Sequence, residues 1–224
     1  MKLTNREDFL SSSREALGEI FDILGRLAPV RIKDLPADST AFVIIDMVNG
    51  FAREGALKSP EVEALIPRIA GMCKACDQLG IAKLAFADCH TEASPEFEAY
   101  PAHCLSGTTE GEVVDEIKGI GGYRLFPKNS TNGFLESAFR QWLENNPQIG
   151  TYVVVGDCTD ICVEQFSTTL KAWFNMQNKR VRVIVPLSAV DTYHLGVHNS
   201  GLMNVVALYG MMLNGIEVVK DIEL

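Results

Sequence analysis

Runs of β-branched and apolar residues alternate along this chain with segments of helical periodicity, and that alternation restricts the fold more than any other feature. Extended runs read at Thr40 to Asp46, Ala82 to Asp88, Tyr123 to Phe126, Thr151 to Val155, Val181 to Val185 and Glu217 to Val219. Helical patterns follow them around Val62 to Leu79, Gly111 to Ile117, Gly133 to Glu144, Ile161 to Gln177 and His198 to Leu213. This order predicts an α/β fold: a mostly parallel central sheet flanked by helices on both faces, since each parallel connection must cross over the sheet. In such sheets a ligand sits at the carboxyl ends of the strands. The 224 residues suffice for one domain of this kind with a large core.

Ahead of the first long strand, Ser12-Ser13-Arg14-Glu15 has the form of a capping box. It predicts a helix starting there with Leu17, Ile20, Phe21, Leu24 and Leu27 on one face, to be buried on the parent domain or on another subunit. The expected division is a helical extension over residues 1–38 and one α/β domain over 39–224.

The chemistry concentrates in Gly156-Asp157-Cys158-Thr159-Asp160-Ile161-Cys162-Val163. Gly156 ends a Val-rich strand, Thr159 or Asp160 can cap a helix beginning near Ile161, and Cys162 then falls in its first turn. Unpaired N–H groups and the positive end of the helix dipole favour a thiolate there, and can hold the oxyanion formed when it attacks a carbonyl. A free Cys is otherwise a small buried apolar residue. Two further segments weigh against that plain reading: Phe42 to Ile45 is an apolar run delivering Asp46, and Arg124 to Pro127 delivers Lys128. An acid, an amine and a thiol, each just past a strand, can converge at one sheet edge.

The chain resembles the isochorismatase-like cysteine hydrolases, and within them the nicotinamidases. The resemblance runs from about Thr40 to about Gly215 and rests on Ile45-Asp46-Met47-Val48-Asn49-Gly50-Phe51, Asp88-Cys89-His90, Pro101-Ala102-His103-Cys104 with Gly107-Thr108, Lys128-Asn129-Ser130 and the Cys162 octapeptide. It implies a Rossmann-like three-layer sandwich and a triad of Cys162 as nucleophile, Asp46 as general base and Lys128 as cationic partner. It further implies an oxyanion hole from the N–H groups of Cys158 and Cys162, a cis peptide at Asp157-Cys158, and Phe51 packed against the substrate ring. The implied reaction is hydrolysis of nicotinamide to nicotinic acid and ammonia through a thioester, a step of NAD salvage. One departure stands out, since nicotinamidases often carry Asp where this chain has Gly50. The alternatives are a related hydrolase acting on another amide or carbamoyl substrate and a non-catalytic binding protein on the same fold.

Asp88 and His90 alternate as residues at a strand end do, and His103 can return to them after a loop containing Glu92, Glu96 and Glu98. One carboxylate and two imidazoles suit a divalent transition metal, the alternative being an acidic solvated loop with incidental His. By the resemblance, Asp88, His90 and His103 are ligands with Glu96 as the fourth and Glu98 as its substitute. The metal is zinc, with iron or manganese as alternatives, and it takes the ring nitrogen of the substrate. Members of the superfamily outside the nicotinamidases generally lack it.

Other features take a plain reading. Cys73 and Cys76 have the C-x-x-C form but lie on the apolar face of the pattern Val62, Leu65, Ile66, Ile69, Met72, which favours core packing. His194 and His198 flank Gly196 and read as polar residues near a helix start. Gly119-Ile120-Gly121-Gly122 precedes a strand instead of opening a helix, unlike a phosphate loop. The net charge of −9 argues against nucleic acid or an anionic membrane as partner. Met1 to Asp8 lacks the apolar stretch of a signal peptide, and six scattered Cys suit a reducing compartment, so a cytoplasmic homo-oligomer acting on a small-molecule amide is expected.

Overall fold

The computed structural model describes residues 5–224. Its strands are β1 (Val30–Arg31), β2 (Thr40–Ile45), β3 (Ala82–Asp88), β4 (Tyr123–Lys128), β5 (Thr151–Asp157), β6 (Arg182–Pro186), β7 (Val190–Asp191), β8 (Glu217–Val219) and β9 (Ile222–Glu223). The α-helices are α1 (Arg6–Gly25), α2 (Asn49–Ala52), α3 (Pro60–Leu79), α4 (Asp115–Ile120), α5 (Ser137–Asn145), α6 (Glu164–Met176) and α7 (Ser200–Leu213). Seven strands form one parallel sheet in the order β4-β3-β2-β5-β6-β8, with β7 continuing alongside β5. The strand order reverses between β2 and β5, and a crevice opens at such a reversal.

The strands are buried on both faces because their residues alternate between two apolar layers. Phe42, Ile44, Val153 and Val155 point into the layer under α3 and α4. Val43, Ile45, Tyr152 and Val154 point into the layer under α5, α6 and α7. In that second layer the Phe86 ring lies 5.1 Å from Phe126 and Phe139 and 5.0 Å from Phe166. Each fully buried large side chain stabilises the fold by roughly 1.5–3 kcal/mol. This cluster also clamps β3 and β4 to α5 and α6, so the strand ends beside Cys162 are held rigidly.

The N-terminal helix departs from expectation. It starts at Arg6, one turn and more ahead of the anticipated box, because the Asn5 side chain accepts the Glu7 N–H at 2.8 Å and caps it there. Ser12 sits inside the helix, its hydroxyl donating to the Asp8 carbonyl at 2.9 Å. The last turns of α1 lie on α7, where Leu24 is buried and Ile20 and Leu27 are half-buried, so the chain's own domain covers that part of the apolar face. Phe21 on the same helix is 65% exposed.

Other boundaries shift for local reasons. Gly111 closes a separate short turn (Thr109–Gly111), and α4 begins only at Asp115. Asn199, whose side chain accepts the Leu202 N–H, caps α7, so His198 lies outside it. β4 runs on through Pro127 to Lys128, tolerable because β4 is an edge strand. The pair β1–β9 and the strand β7 are two residues long and leave no periodic signal. Among the described residues no helix is long and apolar enough to cross a membrane.

Candidate active site

Register brings the reactive groups to one edge. Asp88 and Lys128 are paired positions of β3 and β4, Ile45 pairs Phe86 and Gly156, and Asp46 therefore emerges level with the ends of its neighbours. Asp46 turns out of the sheet with a left-handed φ of 51°. Such a conformation in a non-glycine residue is costly and persists only where the surroundings impose it. Here the Phe86 carbonyl accepts the Asp46 N–H at 3.0 Å, and Asp46 Oδ1 accepts the Asp88 N–H at 3.1 Å. Gly156 is obligatory, since a Cβ there would lie 2.0 Å from the Ile45 carbonyl oxygen.

Lys128 Nζ stands 2.8 Å from Asp46 Oδ2, 2.5 Å from Asp88 Oδ1 and 3.7 Å from Cys162 Sγ, and all four side chains are buried. The ammonium thus bridges two carboxylates and the thiol. Burial raises the Asp46 carboxyl and the Asp88 charge adds to this, against the pull of Lys128, leaving it at about 7. Burial would raise Asp88 too, but the charge of Lys128 and its hydrogen bond outweigh it and hold Asp88 well below the usual carboxylate range. For Lys128 burial works the other way and is overcome by the two carboxylates, so the ammonium holds its proton firmly. Burial pushes the Cys162 thiol well up despite Lys128. Asp46, with its carboxyl near 7, stands in the same cluster as the acceptor for the thiol proton.

The segment carrying Cys162 is a wide π-helical turn, Thr159–Val163, which passes into α6. Neither Thr159 nor Asp160 caps it. Asp160 is instead engaged by His198 Nε2 at 2.8 Å, while the His198 ring stacks on Tyr193 with centroids 3.9 Å apart. The peptide Asp157-Cys158 is cis. Cys73 and Cys76 are buried in the apolar layer under α3, and burial pushes both thiols up to about 12, as core packing requires.

Asp88, His90 and His103 bring one ligand atom each to within 4.8 Å of one another. His103 Nδ1 lies 2.8 Å from the Pro101 carbonyl oxygen, an acceptor only, so this nitrogen carries the proton and Nε2 presents its lone pair towards Asp88 at 3.6 Å. His90 is arranged likewise, with Nδ1 on Asn129 Oδ1 at 3.0 Å and a buried Nε2 that has no hydrogen-bond partner among the described residues. Two imidazoles oriented by oxygen acceptors, with free nitrogens facing a carboxylate, fit a divalent metal. Glu96 is outside this group: it sits half-buried on the short turn Pro95–Glu98 in the cleft wall, and Glu98 is exposed.

A narrow cleft opens over these groups. Phe51, Leu57, Val62 and Ile161 make apolar wall, Tyr100 and Tyr193 contribute rings, and Asp88, His103, Asp157, Cys158 and Cys162 face in. Phe51 is buried and its ring centroid is 5.4 Å from that of His103. Gly50 is explained by Cys104: a Cβ at 50 would lie 2.6 Å from Cys104 Sγ. Tyr100, Tyr193 and the wall residues Leu57 and Thr131 carry no sequence signal, since they sit on irregular segments without periodicity. Asn129 lies in a motif already quoted, but only the fold reveals its bond to His90.

The chain belongs to the isochorismatase family, the isochorismatase domain matching residues 40–215. Nicotinamidase 1 of Arabidopsis thaliana is 31% identical, over 91% of this chain and 96% of that protein. N-carbamoylsarcosine amidase from Thermoplasma acidophilum superposes with a TM-score of 0.66 at 26% identity, covering 81% of this chain and 96% of its own. The pyrazinamidase of Pyrococcus horikoshii in complex with zinc superposes with a TM-score of 0.68 at 21% identity, over 81% of this chain and 99% of that one.

Proposed function

We propose that the protein is a nicotinamidase, a cysteine amidohydrolase that converts nicotinamide to nicotinic acid and ammonia. The observation that carries this reading is the single buried cluster in which Lys128 joins Asp46, Asp88 and Cys162 beside His90 and His103. The likeness to the Arabidopsis nicotinamidase supports the substrate. Asp88, His90 and His103 hold a divalent metal, zinc before iron or manganese, with Glu96 as a further donor. When bound, that ion supplies a Lewis-acid anchor for the pyridine nitrogen, which suits a substrate of this size in an apolar cleft.

The chain's own residues carry the acyl transfer. Asp46, with a carboxyl near 7, takes the proton of the Cys162 thiol, and Lys128 stabilises the negative charge on sulfur as it forms. The thiolate adds to the carboxamide carbon, and the backbone N–H groups of Cys158 and Cys162 hold the oxyanion. The C–N bond breaks as Asp46 returns its proton to the departing nitrogen, giving ammonia and a thioester. Asp46 then deprotonates water, which adds to the thioester and restores the thiol. Phe51 packs on the ring and excludes solvent.

Release of ammonia and nicotinic acid from nicotinamide by the purified protein tests this. Benzamide keeps the carboxamide but lacks the ring nitrogen and should be a poor substrate; equal turnover of the two would favour a general amide hydrolase.

A further inference from the structure

The connection between β7 and α7 contributes one side chain, Tyr193, to the wall of the cleft, and that residue has no part in the acyl transfer. β7 runs beside β5 with Gly156 opposite Val190 and Asp157 opposite Asp191. The chain therefore leaves the sheet level with the turn that carries Cys158 and Cys162, and reaches Tyr193 two residues later. Beyond Tyr193 it is exposed, Leu195 by 68% and Val197 by 97%. The tip closes only on itself: the Leu195 N–H donates to the His198 carbonyl at 3.0 Å and the His198 N–H to the Leu195 carbonyl at 2.9 Å. Neither bond reaches the body of the protein.

The His198 side chain makes that connection instead. Its Nε2 lies 2.8 Å from Asp160 Oδ2 and its Nδ1 lies 2.9 Å from the Tyr193 carbonyl oxygen. A carboxylate and a carbonyl oxygen only accept, so both ring nitrogens donate. The imidazole also lies flat on the Tyr193 ring, with centroids 3.9 Å and planes 9° apart. One side chain thus holds Tyr193 by its backbone and by a face of its ring, and is itself paired with an acid two residues before Cys162. With 19% of the His198 side chain and 14% of the Asp160 side chain accessible, water and salt screen this pair less than an ion pair on the open surface. A free tip would let Tyr193 swing out of the cleft wall. The stack and the two hydrogen bonds remove that freedom beforehand, so substrate binding does not have to order the wall.

We propose that His198 is a positioning residue, which stacks on Tyr193 to hold it as a substrate-contacting wall of the cleft and ties that wall, through Asp160, to the turn bearing Cys162. Tyr193 meets the amide substrate directly, and His198 acts only through Tyr193. The proposal rests on the nicotinamidase reading and deepens it.

The test measures kcat and KM for nicotinamide with the metal-loaded full chain as wild type, Tyr193→Phe, Tyr193→Ala, His198→Ala, His198→Gln and the Tyr193→Ala, His198→Ala double variant. Tyr193→Phe keeps the ring and should stay within about threefold of wild type in KM. Tyr193→Ala should raise KM by about tenfold, the order of one aromatic contact, with kcat changed by less than about threefold. His198→Ala leaves Tyr193 present but no longer held, and should raise KM by about fivefold. The double variant should show the KM of Tyr193→Ala alone, because His198 has nothing left to position. His198→Gln, whose amide can still donate to Asp160 and lie against the Tyr193 ring, should recover most of the loss. A residue that merely supported the fold would lower thermal stability or kcat, and its effect would multiply with that of Tyr193→Ala. If His198→Ala does not fold, His198→Leu, closer in size, takes its place in the cycle. An unchanged KM in Tyr193→Ala or in the folded His198 variant, or a double-variant KM equal to the product of the two single effects, overturns the proposal and leaves the nicotinamidase reading standing. Failure of wild type to hydrolyse nicotinamide overturns that reading instead, and with it this proposal.

Discussion

Cys162 is a thiol that burial holds protonated, next to a carboxyl that burial holds near 7, and the reactivity of one depends on the other. Cys162→Ala removes the atom that forms the thioester while leaving a small apolar residue in a close-packed place. Hydrolysis should fall by at least about a thousandfold with the thermal unfolding profile little changed. Near-normal turnover by the folded variant would rule out covalent catalysis. Lys128→Met keeps the length of the side chain and removes its charge. Two buried carboxylates then lose their shared cation, and stability should drop by about 3–5 kcal/mol, as when one partner of a buried pair is deleted. Loss of the ammonium also withdraws support from the thiolate, so alkylation of Cys162 followed against pH should shift to higher pH. An unchanged alkylation profile in folded protein would mean that the 3.7 Å approach has no chemical consequence.

At the scale of elements, the end of β3 and the loop beyond it act as one unit. β3 delivers Asp88, His90 follows, and the loop returns with His103 because Pro101 and Asn129 supply acceptors that turn both imidazoles inward. Asp88→Ala and His90→Ala should therefore abolish stoichiometric metal in elemental analysis and raise KM for nicotinamide steeply, while Cys162 remains open to small alkylating agents. His194→Ala and His198→Ala should retain the metal, since His198 is committed to Asp160 and the Tyr193 carbonyl. Metal bound stoichiometrically by the Asp88→Ala, His90→Ala double variant would remove these residues from the ligand set. The turn after β5 owes its position to a different device: Gly156 lets β5 pass against Ile45 where any Cβ would collide, and the chain then opens into the π turn that carries Cys162.

At the scale of the whole molecule, the parallel sheet gathers four chain segments at one edge, and α1 is fastened to it mainly by Leu24 over α7. Leu24→Ala should loosen α1 at a cost of about 2–5 kcal/mol to its docking. Amide hydrogen exchange should then rise across Arg6–Gly25 and stay unchanged in β2 and β5; faster exchange throughout the sheet would show that α1 supports the core instead of resting on it. The strand and helix order, helices on both faces of the sheet and the placing of Asp46, Lys128 and Cys162 at or after strand ends were legible in the sequence, because burial periodicity and strand-end position are local properties of the chain. The start of α1 lies at Asn5 and not at Ser12, because both are favoured capping residue types and propensity alone cannot rank them. The two-residue strands had no period to detect. Only the tertiary structure decided that burial raises the Cys162 thiol, that Lys128 bridges Asp46 and Asp88, and that Glu96 stands apart from the Asp88, His90 and His103 group. These are matters of desolvation and of distance between residues far apart in the chain, and sequence spacing carries neither quantity.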